Sequence, residues 1–277
     1  MPVEDTEIVS AHGTMPKGSG ALDEESKALL LAIFRAVTEA QPRNISCLIE
    51  TIRDWDSLFY LAQEHRILPM MYPRLNGYGA ALPSQVENRL RIEYERNMLQ
   101  CVVNSVELVA ILSAFNRGGI PALPYKGVSL AAAAYHDLAA RPAGDLDVLV
   151  HQRDLDRASS ILFERGYQRL TPIRPDGIPL IRDLHEYQFE RPSDGMQLEL
   201  RWKLDLGHPG FRRDLNLEWM WPSRRIVNFA GAEIPNLSPE ITLLVLCAHG
   251  SKHGWTRLVW ILDVAKFLRS FPTLDWN

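Results

Sequence analysis

The stretch RPAGDLDVLV, residues 141–150, decides how this chain is read. Leu146, Val148 and Val150 alternate as on a strand with one face in a core, which puts Asp145 and Asp147 together on the opposite face. Two carboxylates about 7 Å apart along one face repel by about 2–3 kcal/mol at an intermediate dielectric. Something must offset that cost. Downstream, MQLELRW (196–202) alternates in the same way. Leu198, Leu200 and Trp202 face one side and Glu199 the other. If the two strands are neighbours, Asp145, Asp147 and Glu199 converge on one patch. Three hard oxygen ligands suit Mg2+ or Mn2+, and such ions use one or two carboxylates plus substrate phosphates. An isolated Asp-x-Asp is more often a surface pair or a turn cap. The buried-strand setting and the third acid argue for the metal.

Around these strands the pattern is that of a small α/β unit. GIPALPYKG reads as a buried strand over 120–125 turning at Gly127, and VSLAAAAYHDL as the helix that follows. HQRDLDRASSILFERGY reads as an amphipathic helix closed by Gly166. EYQFERPSDGMQLELRW reads as a hairpin with strands near 186–191 and 196–202. Upstream, helical periodicity is predicted over 23–40, after Asp54, and from Ser84 to about Asn116. In the last of these, Ser84 and Glu87 suggest a capping box and RGG a stop. Downstream, Ser238-Pro239 opens a helix through Ala248, and another spans about 257–269. The expected organisation is a mobile tail over 1–20, a helical region over 21–118, a mixed α/β core over 119–205 and a helical region over 206–277.

The chain has 277 residues, 46% of them apolar, with a net charge of −4. That length permits a sizeable core. The acidic balance argues against a coat for nucleic acid or for an acidic membrane. Cys47, Cys101 and Cys247 are too far apart for a metal motif, and this usage fits a reducing cytoplasm. No signal peptide is visible, and no stretch reads as long and apolar enough to span a bilayer.

Taken together, YKGVSLAAAAYHDLAARPAGDLDVLV, LELRW and AHGSKHGWTRLVWILDVAKFL resemble the uncharacterised nucleotidyltransferase-like family of the DNA polymerase β superfamily, over about 120–270. The resemblance implies an α+β fold: a small mixed-sheet core flanked by helical regions. It implies that Asp145 and Asp147 hold the metals, with Glu199 sharing a metal or accepting the nucleophile's proton. It places Gly127 and Ser129 where the superfamily's Gly-Ser turn meets the triphosphate, and helix-start N–H groups favour phosphate there. Here the usual pair is replaced by Lys126-Gly127, with Lys126 able to act as a point charge. Arg141 would clamp phosphate; its structural alternative is pairing with Asp137 or Asp145. Relatives of this pattern continue for further helices beyond LDW.

Other residues admit two readings. His249 and His253 have a metal-binding spacing without a third ligand. Helix-end or core roles compete with triphosphate or acceptor contacts made together with Lys252 and Arg257. His185 is a candidate general base or a structural hydrogen-bonding group. Asp263 is expected to pair with Lys252 or Arg257. Trp219, Trp221, Trp255 and Trp260 are expected in cores, and Arg212-Arg213 and Arg224-Arg225 on solvated faces.

The function expected from these readings is metal-dependent transfer of a nucleoside monophosphate from a triphosphate to a hydroxyl or similar group of a small molecule or peptide, releasing pyrophosphate. ATP is the default donor because it is abundant. Two alternatives stand beside it: a non-catalytic module on the same fold, and an Asp-x-Asp glycosyltransferase, which would need a larger sheet upstream.

Overall fold

The computed structural model describes residues 49–50, 52–77, 82–135, 137–142, 144–172, 185–204 and 215–276. The tail over 1–20, the helix expected over 23–40, Cys47 and Arg212-Arg213 lie outside them.

Among the described residues, the first full helices are α1 (Trp55–Glu64), α2 (Leu68–Gly77) and α3 (Ser84–Arg117). Asp54 caps α1 by accepting from the Ser57 N–H. Sequence reading missed α2, because Pro73 lies inside it and an interior proline removes a helical donor. The capping box predicted for α3 does not form. Pro83 occupies the cap position, no side chain caps the helix, and Ser84 is already helical. One further expectation is corrected: α3 does contain a window apolar and long enough to cross a bilayer, although 44% of that window is buried within the molecule. Its outward stripe includes Ile92, Leu99 and Val106. The inward face packs at one end against α1 and α2 and at the other against the sheet.

The sheet is built from β1 (Ala122–Pro124), β2 (Leu146–Val150), β3 (Gln168–Arg169), β4 (Glu186–Arg191) and β5 (Met196–Arg201), with α4 (Gly127–Ala134) and α5 (Leu155–Glu164) between its strands. Its order is β1-β2-β5-β4-β3. Only β2 and β5 run parallel; the other pairs are antiparallel. Leu146, Val148, Leu198 and Leu200 share a core with α3 and α5. The other face of β2 begins with the aspartates and ends at Leu149, which joins a second core formed with Leu123 of β1 and with Ile241 and Val245.

Beyond the sheet come the pair β6 (Lys203–Leu204) and β7 (Leu215–Asn216), the short α6 (Leu217–Met220) and the hairpin β8 (Arg225–Phe229) to β9 (Ala232–Asn236). The helices α7 (Pro239–Lys252) and α8 (Leu258–Ser270) follow. Ser238 caps α7 as expected, accepting from the Ile241 N–H. The helix runs one turn past Ala248, to Lys252.

Polar groups on α3 fix the approach to β2. Buried Asn104 donates to the Gly144 carbonyl at 2.7 Å, and Asn97 donates to the carbonyls of Ala139 and Arg141. The α7–α8 turn is fixed differently. The Trp255 indole lies on α7 at Gly250, where an added Cβ would meet the ring at 2.3 Å. Overpacking at such a point typically costs about 1–3 kcal/mol. Gly250→Ala is therefore expected to lower stability by about that amount in urea denaturation, with the turn carrying Thr256 and Arg257 displaced.

Candidate active site

In the β2–β5 pair, Asp147 stands directly across from Glu199. The predicted neighbourhood of the two strands is thus present, in the register that puts the acids side by side. Asp145 precedes β2 and joins them: one carboxylate oxygen from each of the three lies within 4.8 Å of the others. Asp147 is only 6% exposed.

The question posed by the paired aspartates has a partial answer in the protein's own cations. Lys126 Nζ lies 3.4 Å from Asp147 Oδ1. Arg201 donates to Glu199 Oε2 through Nε at 3.1 Å and Nη2 at 2.9 Å, and also pairs with Glu186. Burial and the Asp147 and Glu199 charges push Asp145 up to about 7. Burial opposes ionisation of Asp147 too, but Lys126 and Arg201 outweigh it and hold that carboxyl below its ordinary value. Asp147 Oδ1 is buried and accepts no hydrogen bond. A buried oxygen left in this state is costly unless a further partner arrives. Glu199 Oε1 accepts no hydrogen bond among the described residues. The donor set is all carboxylate oxygen, so these residues fit a hard divalent cation.

Gly127 opens α4 with φ 56°, and a Cβ there would lie 3.2 Å from the Asp145 carbonyl and 3.8 Å from Asp147 Oδ2. Only glycine suits both the left-handed backbone and the close approach. Ser129 lies in the first turn of α4. Its hydroxyl donates to the Lys126 carbonyl at 2.8 Å and does not line the cavity above the acids.

Arg141 lines the cavity above the acids and pairs with neither Asp137 nor Asp145, which corrects that alternative. Its Nε and Nη2 donate to the two oxygens of Asp263 at 2.9 and 3.1 Å, and its Nη1 donates to the Gly127 carbonyl at 3.2 Å. Tyr135 donates to Asp263 Oδ1 at 2.6 Å. Asp263, 2% exposed, thus pairs with Arg141 rather than with the expected Lys252 or Arg257. This network ties α8 to the glycine turn.

The acids lie on the floor of a cavity of about 570 Å³. His249, His253, Lys252 and Arg257 all reach it, as does His185, whose ring lies 6.2 Å from Trp202. His249, His253 and Trp260 form a triangle of rings with centroids 4.7–5.4 Å apart. Trp260 therefore serves both the core, as expected, and the cavity wall. Burial, Lys126 and His253 push His249 down to about 3, so it is neutral near pH 7. Arg224 and Arg225 are exposed, as expected, with the Arg224 guanidinium over the Trp221 ring. Sequence reading missed Arg66, Arg201 and Glu186 in this cavity. Arg201 was findable, since it stands two positions after Glu199 on the same strand face.

The sequence model of the family described as uncharacterised nucleotidyltransferase matches residues 51–277. The chain belongs to that family. No curated protein matches. This nucleotidyltransferase family member is also similar to solved structures at low identity. One is the lincosamide antibiotic adenylyltransferase LnuA with lincomycin bound: 15% identity, 58% of this chain, 94% of that one, TM-score 0.39. Another is the antibiotic-resistance factor ANT(2'')-Ia: 14% identity, 61% and 84%, TM-score 0.42. A third is an antigenic nucleotidyltransferase-like protein from Paracoccidioides brasiliensis: 18% identity, 61% and 75%, TM-score 0.37.

Two predictions follow from the site's electrostatics. The folded metal-free protein holds the Asp145 proton to about pH 7, whereas an unfolded aspartate loses it near pH 4. The folded state therefore binds more protons across that window, and stability contributed by this group falls as pH rises through it. Urea titrations from about pH 4.5 to 7.5 should show this slope, flattened in Asp145→Asn. Replacing Asp263 by Ala leaves the Arg141 charge buried without its partner and should cost about 3–5 kcal/mol, read in the same assay.

Proposed function

We propose that this protein is a metal-dependent nucleotidyltransferase that moves a nucleoside monophosphate, AMP by default, from a triphosphate to a hydroxyl or similar group of a small molecule or peptide. The observation that carries the reading is the convergence of Asp145, Asp147 and Glu199 beneath a cavity whose basic side chains outnumber its acidic ones, seven to four, among the described residues.

In this reading Asp145, Asp147 and Glu199 are the residues that would hold Mg2+ or Mn2+. When bound, the ion supplies neutralisation of phosphate charge and lowers the pKa of an oxygen nucleophile. The chain does the rest. Gly127 lets the start of α4 approach without a side chain in the way, so that its first N–H groups can meet phosphate. Lys126, now on Asp147, is placed to transfer its charge to the donor's phosphates. Arg201 fixes Glu199 through Oε2 and leaves Oε1 to accept the acceptor's proton. The acceptor oxygen bonds to the α-phosphorus, the bond to the bridging oxygen breaks, and pyrophosphate carries away the electron pair. The cytoplasm is the proposed location, and the net negative charge favours a small acceptor over nucleic acid.

The test is label transfer from α-³²P nucleoside triphosphates with Mg2+ into cell-extract components. The unsubstituted protein should label an acceptor. Asp145→Asn and Asp147→Asn should lose at least about a hundredfold in rate, as loss of central transition-state stabilisation does. Equal labelling by Asp145→Asn would place the chemistry elsewhere. A thermal shift with Mg2+ and each triphosphate that shows no response would favour the non-catalytic alternative.

A further inference from the structure

The cavity that holds the acids is also lined by cations with no ion-pair partner among the described residues. Arg66 is the most informative. It follows the C-cap of α1, with Ile67 N–H donating to the Ala62 carbonyl at 2.8 Å and Arg66 N–H to the Gln63 carbonyl at 2.9 Å. This closure ordinarily uses glycine, because its residue sits in the left-handed region. Arg66 occupies it at φ 55°, which a side chain adopts only at a conformational cost. Its guanidinium lies against Gly144, where an added Cβ would stand 3.1 Å from Nη2; Asp145 and Asp263 act on its charge, but no carboxylate forms an ion pair with it among the described residues. The same turn is tied to the start of α8, since Val259 N–H donates to the His65 carbonyl at 3.2 Å. That start carries Arg257, whose guanidinium lies 5.8 Å from the centre of the Trp260 ring. Lys252, at the end of α7, lines the same wall. Neither Arg257 nor Lys252 has an acid partner among the described residues.

Lys126, Arg141 and Arg201 are already matched by Asp147, Asp263, Glu199 and Glu186. A triphosphate brings its own charge to the acidic floor along with metal ions that cancel it. Of the four other cations that line the cavity, Lys203 stands on β6 and has contacts of its own, and Arg66, Lys252 and Arg257 stand on the helical wall. Unpaired guanidinium groups select carboxylate or phosphate, and they repel amines.

Resting on the nucleotidyl-transfer reading, we propose that Arg66, Lys252 and Arg257 form an anion subsite for the acceptor, so that the group modified belongs to a molecule carrying a phosphate or carboxylate rather than to a polyamine. The test uses the full chain saturated with Mg2+ and α,β-methylene-ATP. Calorimetric titration with inorganic phosphate, with succinate and with spermidine then reads the second site. Phosphate or succinate should bind the loaded protein, the better of the two naming the anion, and spermidine should not. Arg66→Gly and Arg257→Gln should each weaken that anion by about tenfold or more, the scale of a lost charge-assisted contact, with the affinity for α,β-methylene-ATP held within about twofold. Arg66→Gly suits its left-handed backbone, so its unfolding temperature should equal or exceed that of the parent, which separates loss of the site from loss of the fold.

Absence of anion binding to the loaded protein overturns the assignment. So does binding of spermidine, or loss of the nucleotide analogue in the two variants, which would give the wall to the triphosphate. If α,β-methylene-ATP fails to bind the unsubstituted protein, the donor reading itself falls, and the acceptor subsite falls with it.

Discussion

Parallel pairing of β2 with β5 is the constraint on which the site depends. It sets Leu146 against Leu198 and Val148 against Leu200 on the core face, and in the same register sets Asp147 against Glu199 on the other. A slip of one residue would turn the leucines out of the core and the acids into it. The apolar burial that stabilises the sheet therefore also enforces the proximity of like charges. The fold supplies the binding energy for an arrangement that electrostatics alone would disperse.

The surrounding charges show how that arrangement is held. Lys126 and Arg201 favour the ionised form of Asp147 in the free protein, while Asp145 takes up the remaining strain by retaining its proton toward pH 7. Lys126 and Gly127 belong to one turn, so a single local conformation brings a cation to Asp147 and removes the side chain that would block a ligand's approach. The Arg141–Asp263–Tyr135 network extends this order outward. Buried ion pairs of this kind add little net stability but are costly to break, and they define one arrangement of the groups they join. Here they join α8, whose N-cap is Arg257, to the carbonyl of Gly127. The helical part of the cavity and the sheet part are thereby kept in register.

Much of this was legible in the sequence. Strict alternation over 146–150 and 196–202 disclosed both strands and assigned Asp147 and Glu199 to polar faces. The Ser-Pro start disclosed α7. What failed did so for physical reasons. Pro73 masks α2. The β8–β9 hairpin turns on Ala230 at φ 49°, without the Asn-Gly or Asp-Gly signal that usually marks such a turn. The partner of Arg141 is more than a hundred residues away, so no local pattern could choose Asp263 over Asp137. Arg66 was hidden because a left-handed backbone at a residue other than glycine leaves no compositional trace. The resemblance carried the position of Ser129 but not the orientation of its hydroxyl, which donates to the Lys126 carbonyl.

The central claim is that these three acids are gathered for a divalent cation. Anomalous diffraction from crystals grown with Mn2+ and α,β-methylene-ATP tests it most directly. The account predicts a manganese peak at about 2.0–2.3 Å from carboxylate oxygens of Asp145 and Asp147, the range for such hard-cation contacts, with Glu199 beside it and Lys126 withdrawn from Asp147 toward phosphate. A map with nucleotide bound, no manganese among the three acids and Lys126 still paired with Asp147 would contradict it.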